Sequence, residues 1–434
     1  MKKVRDGYKM TELGEIPNEW KEFTLQELLD NGYIIGHLDG NHGGLYPKNN
    51  EFVAEGVPYI GANAIKNSRI CFSEVKYLTK ERALKFKKGV AKNNDVLFAH
   101  NASVGPVALL NTDLDFVILS TTLTYYRCNE GKVKPKYLLY YMQTGIFANQ
   151  YRRIMGQTTR NQVPITMQRE FKHIIPPIKE QEKIASILST IDEQIDNVDA
   201  LIEKNKELKK GLMQTLFTKG IGHTKFKNTE IGEIPEEWDV KKIGDICEVK
   251  GGKRLPKGYQ LEDEDNAFPY IRVADMYMGG IRQDDIKYVP KDIVDKIKNY
   301  KISKDDLFIS VAGTLGIVGQ VPYELDGANL TENADKLCNI QINKLYLMKV
   351  LQSNIVQSII EAEQTKSAQP KLALTRIKEF LIPVPSDIEQ VKIASILMEV
   401  DEKIGQYKNK KQKLEELKKG LMQQLLTGMI RVTV

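Results

Sequence analysis

The chain has 434 residues, 41% of them hydrophobic, with 63 Lys and Arg against 57 Asp and Glu and a formal net charge of +6. That is enough apolar material for two to four cored domains, and the mildly basic balance suits a nucleic-acid partner without demanding one. No run approaches the ~18 to 20 apolar residues of a membrane span, the charged opening MKKVRDGYKM has no apolar segment behind it, and Cys71, Cys128, Cys247 and Cys338 lie far apart without a CxxC; a reducing cytoplasm is the expected setting, without disulfides or a zinc site.

Read in chain order, the sequence is written twice. TELGEIPNEW (Thr11 to Trp20) returns as TEIGEIPEEW (Thr229 to Trp238), 218 residues later, and carries the only two tryptophans. These are expected to be packing anchors at the start of each half. EQEKIASIL from Glu180 returns as EQVKIASIL from Glu389, and ELKKGLMQ from Glu207 returns from Glu416, both at an offset of 209. Between these markers the halves are only weakly alike. VPYIGANAI from Val57 faces FPYIRVADM from Phe268, and DVLFAHNAS from Asp95 faces DDLFISVAG from Asp305. Both pairs read as short apolar strands entering a polar or glycine turn.

The segments from Ile184 and Ile393 carry a heptad seam, with steps alternating between four and three. In the first it runs Ile184, Leu188, Ile191, Ile195, Val198, Ile202, Leu212 and Leu216; in the second Ile393, Leu397, Val400, Ile404, Tyr407, Leu414, Leu421 and Leu425. Each predicts a helix of about 33 residues, ~50 Å long at 1.5 Å per residue. Asn205, Lys209, Lys411 and Lys418 interrupt the seam, and Leu208 and Leu417, one step earlier, are expected to take over there. Thr218-Lys219-Gly220 and Thr427-Gly428 are expected C-terminal caps. Gly211 and Gly420 lie inside the helices, where close approach of a partner helix and fraying are equally good reasons for them. The connector KGIGHTKFKNTE leads into the second half.

A search for chemistry finds no phosphate loop and no HExxH. Asp115 with Glu130 and Lys132 is a loose lookalike of a Mg²⁺-dependent nuclease trio, but the latter two sit in what reads as a solvated turn, CNEGKVKPK. His37 and His42 have no cysteine or carboxylate cluster beside them, so no metal site is expected. What remains is polar, glycine-flexed loops. In the first half they present His42, Tyr46, Lys48, Asn101, Arg152, Arg153, Thr158, Arg160, Asn161 and Gln162. In the second they present Lys253, Arg254, Lys257, Tyr259, Lys366, Ser367, Gln369 and Lys371. Arg, Lys, Asn, Gln, Ser and Thr contact phosphates and hydrogen-bond base edges, so these are the candidate DNA-binding residues. Arg160 faces Gln369 and Gln162 faces Lys371 at offset 209, which suggests that the halves read different sequences.

GEIPxxW opening each half, EQxKIASIL heading each helix and LKKGLMQxLxT at its foot resemble the specificity subunits of type I restriction–modification systems, over nearly the whole chain. The resemblance implies an α+β fold, with two globular α/β target-recognition domains separated by two long helices that form an antiparallel coiled coil, as a pseudo-two-fold internal repeat. The expected boundaries are 1–178 for the first recognition domain, 179–218 for the first helix, 219–387 for the connector and second recognition domain, and 388–434 for the second helix and tail. It also implies a non-catalytic subunit that reads a bipartite double-stranded DNA target, docks two methyltransferase subunits on the repeated helical seam and assembles with restriction–translocase subunits. AdoMet, ATP and Mg²⁺ would then belong to the partners and no cofactor to this chain. The rival readings are a nuclease using Asp115, Glu130 and Lys132, and a coiled-coil scaffold without a DNA role.

Overall fold

The computed structural model describes residues 4–156, 161–364 and 371–433. The chain forms two compact units, residues 1–199 with 409–434, and residues 200–408. Each unit takes one globular stretch, the head of one long helix and the foot of the other.

In unit 1 the GEIP phrase is the second arm of a hairpin, Tyr8–Thr11 against Gly14–Pro17. Gly14 turns it at φ +115°, a backbone that glycine adopts without strain. The next strand, Lys21–Thr24, pairs antiparallel with Lys172–Ile175, immediately before the first long helix. The domain's start is thus hydrogen-bonded to its end. Between them lie two sheets. One has the order Val107–Leu109, Val96–Ala99, Leu123–Cys128, Ile34–Asp39; the other has five strands around a parallel pair, Val57–Ile60 with Val117–Leu119. Helices Pro135–Met142 and Gly145–Met155 cover the first sheet's core.

Unit 2 repeats this plan. Phe226–Thr229 and Gly232–Pro235 form the hairpin, Asp239–Lys242 pairs with Leu381–Val384, and the parallel pair is Pro269–Ile271 with Ala328–Leu330. A four-stranded sheet runs Glu248–Gly251, Ala334–Cys338, Leu307–Ser310, Val318–Gln320. The apolar stretches from Val57, Asp95, Phe268 and Asp305 each contribute the strand expected of them.

The repeated phrases meet inside each unit. In unit 1, Ile184, Ala185 and Leu188 at the head of the first long helix share a core with Leu425 and Leu426 at the foot of the second, and Leu421 and Met422 pack against it. In unit 2, Ile393, Ala394 and Leu397 share a core with Leu216 and Phe217, and Leu212 and Met213 pack against it. Ile191, Val198, Ile202, Val400, Ile404 and Leu414 are buried as well, while Ile195 and Tyr407 are half-buried. The seam is therefore covered by the chain itself.

The helices span Ile178–Thr218 and Asp387–Leu425, 41 and 39 residues, or roughly 60 Å each. They exceed the expected 33 because helical geometry begins in the polar EQ segment, ahead of the first apolar seam position. The polar interruptions are also resolved differently. Leu208 and Leu417 are 51% exposed and take over nothing. Lys418 instead pairs with Asp192 at 2.6 Å in unit 1, and Lys209 pairs with Asp401 at 2.6 Å in unit 2. These are one ion pair written twice, since both members recur at offset 209. Lys411 pairs with Asp199 at 2.7 Å, one heptad on along one helix and one heptad back along the other, which makes the unit 1 segments antiparallel. Asp192 also accepts from the Tyr140 hydroxyl at 2.7 Å, where in unit 2 the buried Lys349 reaches Asp401.

A Cβ at Gly211 or Gly420 would meet nothing within 4 Å. Within the chain, close approach is therefore not the reason for either glycine. Gly211→Ala and Gly420→Ala are each expected to raise unfolding free energy by about 0.5 to 1 kcal/mol in urea denaturation. A loss of stability in either variant would contradict the open helix surface.

Candidate nucleic-acid interface

The frame that presents the loops rests on the Glu-Gln pair of EQxKIASIL. Glu180 is 2% exposed and accepts from the Trp20 indole N–H at 3.2 Å. Arg431 closes on the same carboxylate through Nε at 2.8 Å and Nη2 at 2.6 Å. In unit 2, Glu389 accepts from the Trp238 indole at 3.0 Å and from the Ile221 amide at 2.8 Å, with His223 Nε2 at 3.0 Å. Gln181 Oε1 accepts the Lys134 amide at 2.9 Å, and Gln390 Oε1 the Asn343 amide at 2.8 Å. Those amides belong to the cap residues of helices Pro135–Met142 and Lys344–Leu351. One dipeptide thus fixes both the entry tryptophan and the globular domain to the long helix. Gly220 and Gly428, at φ +63° and +71°, press against Trp238 and against Pro17 and Trp20, so a side chain at either would collide. The glycines expected as caps are also the points where each helix foot meets a tryptophan.

Above this frame the loops leave both domains in the same way. Gly40 and Gly252 lie hard against backbone carbonyls of Leu119 and Ser120, and of Leu330 and Thr331, respectively. Only glycine allows that approach, and the loops from Asn41 and Lys253 start there. On the adjoining strand ends, Asn101 bridges Gln162 and Ala312 bridges Lys371. The Val163 amide donates to His100 O at 2.8 Å, and the Leu372 amide to Val311 O at 2.9 Å. The structure therefore brings Asn101 together with Asn161 and Gln162, whose carbonyl and backbone pair with the Asn101–Ala102 turn. Arg152 and Arg153 are exposed on the last turn of helix Gly145–Met155. Thr158, Arg160, Lys366, Ser367 and Gln369 lie outside the described residues.

His42 departs from its expected place in this set. It is 8% exposed, Nε2 lies 2.7 Å from Leu119 O, and its ring packs 4.3 Å from that of Phe86. Its imidazole is spent on a core carbonyl. Tyr46 is 53% exposed, and exposed Lys48 begins a short turn whose end, Glu51, is held by Arg82. His37 is likewise buried, 3.2 Å from Gln168 Oε1. Glu130 accepts from Asn94 and Lys132 donates to Asn31 O, and among the described residues no cluster of His, Cys, Asp or Glu could hold a metal ion. The four cysteines are free.

In unit 2, Lys253, Arg254, Lys257 and Lys371 converge on one cleft of about 680 Å³ with Lys296. Tyr259 stands at its side, with Lys296 Nζ 5.3 Å from the ring centroid. Sequence reasoning missed three charged members, Lys296, Glu332 and Asp335. Asp335 is 5% exposed and lines the cleft; burial pushes its carboxyl up to about 6 against the opposing pull of Lys371. The only signal was an acidic residue beside Lys336 in a short strand between Ala334 and Cys338.

The model of the type I restriction modification DNA specificity domain matches residues 17–208 and again 235–416. The chain is 31% identical to a provisionally assigned type I restriction enzyme specificity subunit, MjaX, of Methanocaldococcus jannaschii, over 98% of this chain and 97% of that one. It is 27% identical to the MjaVIII specificity subunit of the same organism, over 80% and 81%. In fold it is similar to the type I restriction–modification S subunit from M. genitalium, with a TM-score of 0.56, 20% identity, and 98% and 97% coverage. A chain from a structure of type I R-M complex assembly and conformational transition gives 0.57 at 19% identity, covering 96% and 99%. This chain belongs to the family of type I restriction–modification specificity subunits, and its role is DNA sequence specificity. No described helix is long and apolar enough to cross a membrane.

Proposed function

We propose that the chain is the non-catalytic reader of a cytoplasmic type I restriction–modification complex. Each unit reads one half of a bipartite double-stranded DNA target, and each offers an equivalent surface to one methyltransferase subunit, with restriction–translocase subunits joining for cleavage. AdoMet, ATP and Mg²⁺ act on those partners. The observation that carries this reading is one frame built twice, with Trp, Glu-Gln and helix foot in the same contacts, under loops that differ. Two copies of one enzyme dock on what repeats, and two different half-sites are read by what does not. Methylation profiling of DNA modified by this chain with its methyltransferase tests it: a single split motif is expected, and an unsplit or random pattern would overturn the reading.

Binding should also depend steeply on salt. If each unit neutralises about four phosphates, log K falls with log[salt] at a slope near −7. Titrations at several ionic strengths measure that slope, and a flat response would favour the scaffold alternative.

A further inference from the structure

The position of Asp335 differs between the halves in a way that points to a ligand. Asp335 pairs in register with Ile309, next to the Gly251–Gly252 loop start. The corresponding residue of unit 1 is Thr124, paired with Phe98 next to Asp39 and Gly40. There the hydroxyl receives the Gln168 side-chain amide at 3.1 Å. Gln168 is replaced at offset 209 by Ile377, a buried apolar side chain. Unit 2 thus exchanges a satisfied hydroxyl for a carboxylate and removes its partner. Among the described residues, no side chain or backbone N–H bonds to that carboxylate, and Lys371 acts on it only through its charge. A carboxylate that lines the cleft without a protein donor keeps its acceptor positions free for whatever enters.

The surroundings say what kind of donor. Lys253, Arg254, Lys257, Lys296 and Lys371 stand around the same cleft, while Leu255 and Leu374 give it apolar walls. That is a cationic rim for phosphates, an apolar-walled interior and an acceptor-only group within. We infer that this cleft takes an amino-bearing base of the DNA half-site, cytosine or adenine, with the Asp335 carboxylate accepting from the exocyclic amine and the lysines and Arg254 contacting the flanking phosphates. A keto edge, guanine O6 or thymine O4, would set oxygen against oxygen and be rejected. The inference rests on the DNA-reading role proposed above and adds a residue and a base chemistry to it.

The test is methylation profiling of the assembled complex carrying Asp335→Asn or Asp335→Ala, beside the unaltered complex. Selectivity at one position of one half-site should fall by about tenfold to a hundredfold, with the other half-site unchanged. As a second arm, the unaltered complex is assayed on DNA in which that position carries uracil for cytosine or hypoxanthine for adenine; a loss of the same size is expected. A Lys253→Ala complex, by contrast, should bind every sequence more weakly by a similar factor. An unchanged profile in the Asn variant overturns the inference, as does a uniform loss over all sequences with the variant folded. If the substitutions prevent folding, the base-replacement arm decides alone: indifference to the missing amine overturns it. A complex with no split motif before any substitution would instead defeat the DNA-reading proposal itself.

Discussion

Arg431→Ala should destabilise unit 1 by about 2 to 3 kcal/mol, although the residue lies beyond the end of the last helix. Its guanidinium makes both Nε and Nη2 hydrogen bonds to Glu180, which is 2% exposed and whose carboxylate, among the described residues, otherwise accepts only from the Trp20 indole. Without Arg431 that carboxylate is buried with a single neutral donor. Removing one partner of a buried pair costs about 3 to 5 kcal/mol. The Arg431 side chain is 38% exposed, so the lower figure allows for solvent screening. Glu19, at 2.6 Å on the same guanidinium, is exposed and should contribute little. A double-mutant cycle with Glu180→Ala measures the coupling. A coupling energy near zero would show that the tail merely rests on the domain.

Mild acid should loosen unit 1 and spare unit 2. His37, His42, His100 and His173 are all buried and all in unit 1. Burial pushes His37 down to about 3 and His173 down to about 4, and also lowers His42 and His100. The unfolded imidazoles take up protons near pH 6.5, while those of folded His37 and His173 do not until about 3 and about 4. The penalty is therefore absent above pH 6.5 and grows by about 1.4 kcal/mol per pH unit for each histidine as pH falls towards its folded value. By pH 5 His37 and His173 together should cost unit 1 about 4 kcal/mol. Asp335 in unit 2 has the opposite sign: its carboxyl, raised to about 6, is protonated in the folded state first, so unit 2 gains slightly over the same range. Hydrogen exchange resolved by peptide at pH 7 and pH 5 compares the units. Equal loss of protection in both would refute the assignment to the buried histidines.

How much of this was legible depended on whether a residue repeats. Trp20 and Trp238 could be read as anchors because a large side chain recurring at one frame position has few other uses, and both are buried. The heptad seam gave the helices and the contacts of their heads and feet. The Glu-Gln dipeptide was visible as a motif, but its work was not, because its partners lie far off in sequence: Trp20, Lys134 and Arg431 for one copy. The lysines of the seam looked like flaws until Asp192 and Asp401 were seen opposite them. His42 misled because a glycine-rich loop reads as exposed, whereas Gly40 lets this one turn inward against Leu119. Asp335 was hidden because nothing local distinguishes a strand carboxylate that faces solvent from one that faces a cleft.

The composition of unit 1 from two distant stretches has a consequence for synthesis. Residues 1–199 emerge first but lack the helix foot and Arg431, which complete their core and neutralise Glu180. Unit 2 is one unbroken stretch, residues 200–408, and holds all its own parts when it leaves the ribosome. Translation adds roughly 5 to 20 residues per second, so the earlier-made segment waits on the order of ten to fifty seconds for its missing strand of helix. During that interval Ile184, Leu188 and the Trp20 pocket have no cover from the second helix. The later-made unit is thus the first to be finished, and the nascent amino-terminal segment is the stage at which a chaperone has most to shield.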